Sequence, residues 1–257
     1  MTTSLKDKIV FITGASSGIG LACARAFAAG GAKILIAARR LGRLNKLADE
    51  LRSAYHVPVL AFALDVRDQP AVERAIVSLP PEWAPIDVLV NNAGLSRGLD
   101  KIHEAKLADW EEMIDTNIKG LLYVSRAVIP GMVARGRGHI INIGSIAGHE
   151  LYPGGNVYCG TKHAVKAISQ GMRIDLVATP LRVSSVDPGM VETEFSLVRY
   201  HGDKEKADKT YKGFKPLAGD DIADAVLYCA TRPPHVNIND MIVMPQAQAG
   251  SLIVNRA

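Results

Sequence analysis

The chain alternates short runs of consecutive apolar residues with longer segments in which apolar residues return every three or four positions. Runs such as Ile9-Val10-Phe11-Ile12 and Ile34-Leu35-Ile36-Ala37 are apolar throughout. They suit strands covered on both faces of a parallel sheet. Strands are predicted over 8–13, 33–38, 57–64, 86–91, 139–143, 182–187 and 241–244. Helices are predicted over 19–29, 41–54, 71–79, 108–134, 157–177 and 221–231. Leu41, Leu44, Leu47 and Leu51 make one apolar stripe that reads as core. Gly30-Gly31 reads as a helix C-cap.

Strand and helix alternating in this way imply right-handed crossovers and the α/β class. The expected architecture is a Rossmann fold: a doubly wound parallel sheet of about seven strands with helices on both faces. No linker, internal repeat or composition break divides residues 1–257, so they are read as one domain. The stretch 189–219 is polar and reads as irregular, and is expected to form a lid over a substrate.

Hydrophobic residues make up 48% of the chain, enough for one large core. The net charge of +4 is carried by scattered basic residues, which argues against a nucleic-acid partner. Three cysteines, Cys23, Cys159 and Cys229, include no C-x-x-C pair. That count excludes a disulfide framework and a zinc site and fits a reducing compartment. No segment has signal-peptide or membrane-spanning character, so a cytoplasmic protein with no membrane partner is expected.

Directly after the first predicted strand comes Thr13-Gly14-Ala15-Ser16-Ser17-Gly18-Ile19-Gly20, which leads into a helix. Glycines here let the backbone turn tightly and approach a pyrophosphate, and the helix N-terminus offers free N–H groups. A strand before and a helix after is the context such a turn needs to bind a dinucleotide. The second strand ends in Ala38-Arg39-Arg40, where an NAD site would place an acid for the ribose 2′-hydroxyl. Two arginines instead favour a 2′-phosphate, hence NADP(H) as cofactor. Asp65-Val66 is placed to meet the adenine, though Asp65 also suits a turn or cap. Asn92-Ala93-Gly94 would lie against the adenosine ribose, while Asn91 is a candidate either for that site or for bracing the sheet.

Tyr158 and Lys162 stand four residues apart at the start of a predicted helix and share one face. A free phenol, with a pKa of about 10, is a poor base near neutrality. A nearby cation lowers that value, so Tyr158 could exchange a proton with a substrate oxygen. Ser145 follows a predicted strand and could hydrogen-bond the same oxygen. Asn117 falls inside a predicted helix, where asparagine signals a distortion or a polar task, such as holding a water that relays the Lys162 proton.

Taken in order, the turn 13–20, Asn91–Gly94, Asn117, Ser145, Tyr158, Lys162 and Pro188-Gly189 resemble the short-chain dehydrogenase/reductase superfamily. The resemblance covers essentially the whole chain. It implies an Asn-Ser-Tyr-Lys tetrad of Asn117, Ser145, Tyr158 and Lys162, with the lysine also holding the nicotinamide ribose. It implies contacts from Pro188, Gly189, Val191 and Thr193 to the nicotinamide end, and a homotetramer or dimer built on the helices carrying Asn117 and Tyr158.

Longer runs, including Gly154-Gly155-Asn156-Val157-Tyr158 and Thr193-Glu194-Phe195-Ser196, are similar to its NADP-dependent 3-hydroxy acid dehydrogenase branch. Members of that branch oxidise small 3-hydroxy acids such as L-serine and L-allo-threonine, and reduce 3-oxo acids. A general carbonyl or 3-oxoacyl-thioester reductase is the alternative within enzymes, and a non-catalytic NADP-binding sensor the alternative outside them. The motif departs from the expected small pair at Cys159-Gly160, where Cys159 reads as a packing residue. A 3-hydroxy acid needs a carboxylate partner. Arg199 in the expected lid is the candidate cation, ahead of Arg97 and Lys101, and Gly154-Gly155 could offer backbone donors.

Overall fold

A computed structural model describes residues 3–257 of the chain. The all-apolar runs become inner strands, and every residue of β1 (Ile9–Thr13) is buried. After it come α1 (Gly18–Ala29), β2 (Lys33–Ala38), α2 (Leu41–Tyr55), β3 (Val59–Ala63), α3 (Gln69–Val77) and β4 (Val88–Asn91). The second half holds α4 (Leu107–Ile114), a π-helical turn (Asp115–Gly120), α5 (Leu121–Ala134), β5 (His139–Ile143) and a 3-10 turn (Ile146–Gly148). It continues with α6 (Asn156–Asp175), β6 (Arg182–Pro188), α7 (Phe195–Arg199), α8 (Lys204–Thr210), α9 (Gly219–Ala230) and β7 (Asp240–Val243).

Among the described residues, seven strands pair in parallel in the order β3-β2-β1-β4-β5-β6-β7. The order reverses between β1 and β4, and a crevice opens there beyond the carboxyl ends of the strands. One core layer packs Phe27 of α1, Leu44 and Leu51 of α2 and Val226 of α9 against the sheet. The opposite layer contains Val72 of α3 and Val124, Val128 and Met132 of α5. Hydrophobic burial on both faces is what makes the inner strands apolar at every position.

Local signals set most element ends. Asp68 caps α3 by accepting from Ala71 N at 2.9 Å. Gly31, at φ +82°, closes α1 where a side chain would be strained. Three expectations change. Leu41 is 41% exposed and leaves the α2 stripe to Leu44, Leu47 and Leu51. The single helix expected over 108–134 is broken by the π-helical turn that contains Asn117. The stretch 189–219 is not irregular throughout, because α7 and α8 form within it. These helices have five and seven residues, too short for an apolar period to announce them.

Candidate active site

The crevice is a cleft of about 730 Å³ at the carboxyl edge of the sheet. Its floor at the nucleotide end is the turn after β1. Gly14 and Gly18 have φ of +67° and +56°, open to glycine and strained for other residues. A Cβ on Gly20 would lie 2.4 Å from Asn92 Nδ2, so Gly20 supports the turn by close packing and does not line the cleft. Asn92 locks turn and strand together, donating from Nδ2 to the carbonyls of Thr13 (2.9 Å) and Gly14 (3.2 Å). Ala93 and Gly94 continue along the wall.

Ser17 stands at the N-cap of α1 but makes no capping bond with its side chain. Its hydroxyl, with that of Ser16, instead accepts from the Arg40 guanidinium at 2.9 Å. An uncapped helix start beside a fixed guanidinium is a ready anion site, which fits a dinucleotide carrying a 2′-phosphate. Arg39, Asp65, Val66 and Ile19 also line this end. Asp65, expected to meet adenine, is engaged by its neighbour: Arg67 donates from Nη2 to Oδ2 at 2.6 Å and from its backbone N to Oδ1 at 3.0 Å. These bonds hold the Asp65 carboxylate in a turn at the edge of the cleft. Asn91 braces the sheet, donating to Ser125 Oγ and Asn142 Oδ1 at 2.9 Å.

At the other end α6 brings Tyr158 and Lys162 to the cleft. Lys162 Nζ donates to the Ile143 carbonyl at 2.9 Å and lies 5.9 Å from the centre of the Tyr158 ring. Burial pulls the lysine down to about 8, while the Asp187 carboxylate opposes that shift. Burial also raises the Tyr158 phenol above its usual range, with Arg199 and the Ser145 hydroxyl pulling it back. Arg199, 5.4 Å from the ring centre, is thus a second cation beside the phenol, one that the motif alone did not announce. Ser145 accepts from Ala147 N at 3.1 Å, which fixes its hydroxyl at the β5 terminus.

The π-helical turn points Asn117 inward, 2% exposed. Its side chain is committed to protein: Oδ1 accepts from Leu95 N, and Nδ2 donates to Leu95 O and Thr161 Oγ1. That side chain braces the wall of the cleft. Gly154, expected to offer substrate a donor, does not line the cleft. Its Cα is pressed on the Leu99 carbonyl, where a Cβ would sit 2.2 Å away, so glycine is required by packing. Cys159 is fully buried and its thiol is pushed up by burial, as suits a packing residue.

Pro188, Gly189, Val191 and Thr193 line the cleft after β6. Arg199 of α7 reaches over it, donating to Tyr152 Oη at 3.1 Å and lying 5.0 Å from the Phe195 ring centre. Its Nε is buried with no partner. Arg97 is bound instead to Glu112 (2.7 Å) and the Val198 carbonyl (2.6 Å), and Lys101 is exposed outside the cleft. The sequence offered no signal for Tyr152, Glu194, Tyr211, Gln248 or Arg256, which also line the cleft. They come from loops and the final segment, where no periodicity marks a face.

Comparison with known proteins agrees with this geometry. A family model described as short chain dehydrogenase matches residues 8–202. The chain therefore belongs to the short-chain dehydrogenase family. It is 51% identical to NADP-dependent 3-hydroxy acid dehydrogenase YdfG of Salmonella typhimurium, over 97% of this chain and 100% of that one. It is 46% identical to the NADP-dependent 3-hydroxy acid dehydrogenase of Schizosaccharomyces pombe, over 98% of each chain. Among solved structures, the closed form of a serine dehydrogenase complexed with NADP+ superposes with a TM-score of 0.90. It shares 49% identity, over 97% of this chain and 100% of that one. No helix among the described residues is long and apolar enough to cross a membrane.

Proposed function

We propose that this protein is an NADP(H)-dependent oxidoreductase that interconverts small 3-hydroxy acids and 3-oxo acids. The observation that carries the acid specificity is Arg199, held over the Tyr158 ring with an unpartnered, buried Nε at the cleft. A buried guanidinium N–H lacking an acceptor is costly, and a substrate carboxylate would supply one to Nε. Relatives at about half identity carry matching names.

The dinucleotide supplies or takes up the hydride when bound. Gly14, Ser16, Ser17, Gly18 and Ile19 would hold its phosphates, and Arg40, with Arg39, its 2′-phosphate. Asp65, Val66, Asn92, Ala93 and Gly94 would flank the adenosine, and Pro188, Gly189, Val191 and Thr193 the nicotinamide end. Tyr158 passes the proton: its Oη donates to the carbonyl oxygen in reduction and takes the hydroxyl proton in oxidation. Ser145 donates a hydrogen bond to the same oxygen as negative charge grows on it. The Lys162 ammonium would hold the nicotinamide ribose hydroxyls, and its charge favours the phenolate. Asn117 fixes the wall against which both act, and residues 189–219 close over the substrate. The protein works in the cytoplasm as a homotetramer, for which exposed apolar residues on the helices flanking Asn117 and on α6 (Leu107, Ile114, Leu122, Ile174) offer assembly faces.

The test is absorbance of the reduced cofactor with a substrate panel. L-serine, L-allo-threonine and 3-hydroxypropionate are run with NADP, neutral ketones and an acetoacetyl thioester with NADPH, and each is repeated with NAD(H). NADP-dependent oxidation of the hydroxy acids is expected. Turnover confined to ketones or the thioester removes the acid assignment. Arg199→Ala should raise KM for the acids far more than for neutral carbonyls, and equal effects on both would remove Arg199 from carboxylate binding.

A further inference from the structure

Lys162 is buried, takes part in no ion pair among the described residues, and makes its one hydrogen bond to the neutral Ile143 carbonyl. A buried ammonium so placed needs a compensating charge. The carboxylate that acts on it is Asp187, near the end of β6 and 1% exposed. Asp187 reaches that position because residue 144 is glycine. A Cβ there would lie 1.9 Å from Asp187 Oδ1. Gly144 N belongs to the same peptide group as the Ile143 carbonyl that receives Lys162 Nζ, so carboxylate and ammonium flank one peptide unit.

Asp187 is itself held from behind. Its Oδ1 accepts from Ser185 Oγ at 2.5 Å, and its Oδ2 accepts from His149 Nε2 at 2.6 Å. His149 Nδ1 lies 3.0 Å from Lys166 Nζ. An ammonium only donates, so Nδ1 accepts, and the imidazole is the neutral tautomer with its proton on Nε2. The line Lys166–His149–Asp187 therefore runs from the half-buried outer side of α6 to the peptide unit beneath Lys162. Lys162 and Lys166 are one helical turn apart, so the same helix carries both ends of the line.

We infer that Asp187, oriented by His149 and Lys166, is a positioning residue that keeps the Lys162 ammonium charged and in place within the hydride-transfer site. The charged and titratable groups around it are Tyr158 and Lys166 on α6, Asp187 on β6, His149 after the 3-10 turn, and Arg199 of α7 over the Tyr158 ring. The segment 92–95 adds only neutral groups, and the turn at 115–120 carries Asp115 and Lys119, paired with each other at 2.7 Å at its surface. The inference rests on the proposed role of Lys162 but not on which substrate is turned over.

The experiment compares Asp187→Asn, His149→Ala and His149→Gln with the unaltered enzyme, using whichever substrate it turns over. Rates are followed from pH 6 to pH 10, and carbon-13-labelled lysine is titrated in the cofactor-free protein. Asp187→Asn should move the alkaline limb of kcat down by about one pH unit. This gives a roughly tenfold loss above the limb that is recovered at lower pH. The Lys162 titration midpoint should fall with it from about 8. His149→Ala should move both the same way, whereas His149→Gln, which can donate to Asp187 and accept from Lys166, should leave them in place. A loss of kcat uniform across pH, with the Lys162 midpoint unmoved, would overturn the inference. If Asp187→Asn does not fold, unshifted profiles in His149→Ala overturn it equally. An enzyme inactive on hydroxy acids but active on ketones would defeat the substrate assignment and leave this test intact.

Discussion

Asn117 grips the main chain of Leu95 from both sides, accepting from its N–H at 2.9 Å and donating to its carbonyl at 2.8 Å. The wall of the cleft after β4 is thereby tied to the π-helical turn, and π-turns recur where a helix must redirect a functional side chain. Asn117→Ala leaves both buried Leu95 groups unpaired. A loss on the order of 1–3 kcal/mol is expected from the orphaned groups. Thermal unfolding should show a fall in Tm together with a fall in kcat. An unchanged Tm would mean that water replaces the side chain.

Arg40 is placed by Ser16 and Ser17 at the start of α1. Removing it should weaken NADPH binding roughly tenfold to a hundredfold, the worth of a charge-assisted hydrogen bond or two. NADH binding should hardly change. Fluorescence titration of Arg40→Ala with both nucleotides checks this, and parallel losses for the two would place the 2′-phosphate elsewhere.

Tyr158 carries the proton in the proposed chemistry. Tyr158→Phe keeps the ring against Phe195, 5.6 Å between centres, and removes only the hydroxyl. NADPH binding should persist while kcat falls by about 10²–10⁴, the usual contribution of a general acid or base. Surviving turnover would assign the proton to another group.

The Lys162 charge works against the fold. Its folded value of about 8 lies below the ordinary 10.5, so the folded state disfavours the ammonium. Below the folded value the lysine is charged in both states and the whole penalty is present. As pH rises from there to the unfolded value, the folded state sheds its proton first and stability recovers. Lys162→Met should abolish turnover yet stabilise the protein at pH 7 by on the order of 1–3 kcal/mol, less what the Ile143 carbonyl loses as an acceptor. Calorimetry at pH 7 and above would show the gain shrinking as pH rises, and a destabilised variant would contradict the sign.

Elements with a long local signature were legible. The burial of β1 and β2, the stripe of α2 and the βαβ order all follow from periodicities that two-sided and one-sided burial impose on neighbouring residues. Asn117 was legible as a disturbance, since asparagine competes with helical hydrogen bonding, but not as a π-turn. The helices α7 and α8 were missed because five and seven residues are too few to display a period.

Local sequence dictates what neighbours along the chain decide: the Gly-rich turn between β1 and α1, the arginines ending β2, and Tyr158 and Lys162 on one helical face. Tertiary structure alone decided which distant groups meet. Arg199 joins Tyr152 from 47 residues away, His149 joins Asp187 across 38, and Glu194 pairs with Arg40 across 154. Tyr152 was not foreseen in the cleft, and Gly154 was foreseen there but is packed outside it. The reason is physical. Propensity and periodicity act over a few residues, whereas the charge felt by a buried lysine or phenol depends on which strand ends the sheet brings side by side.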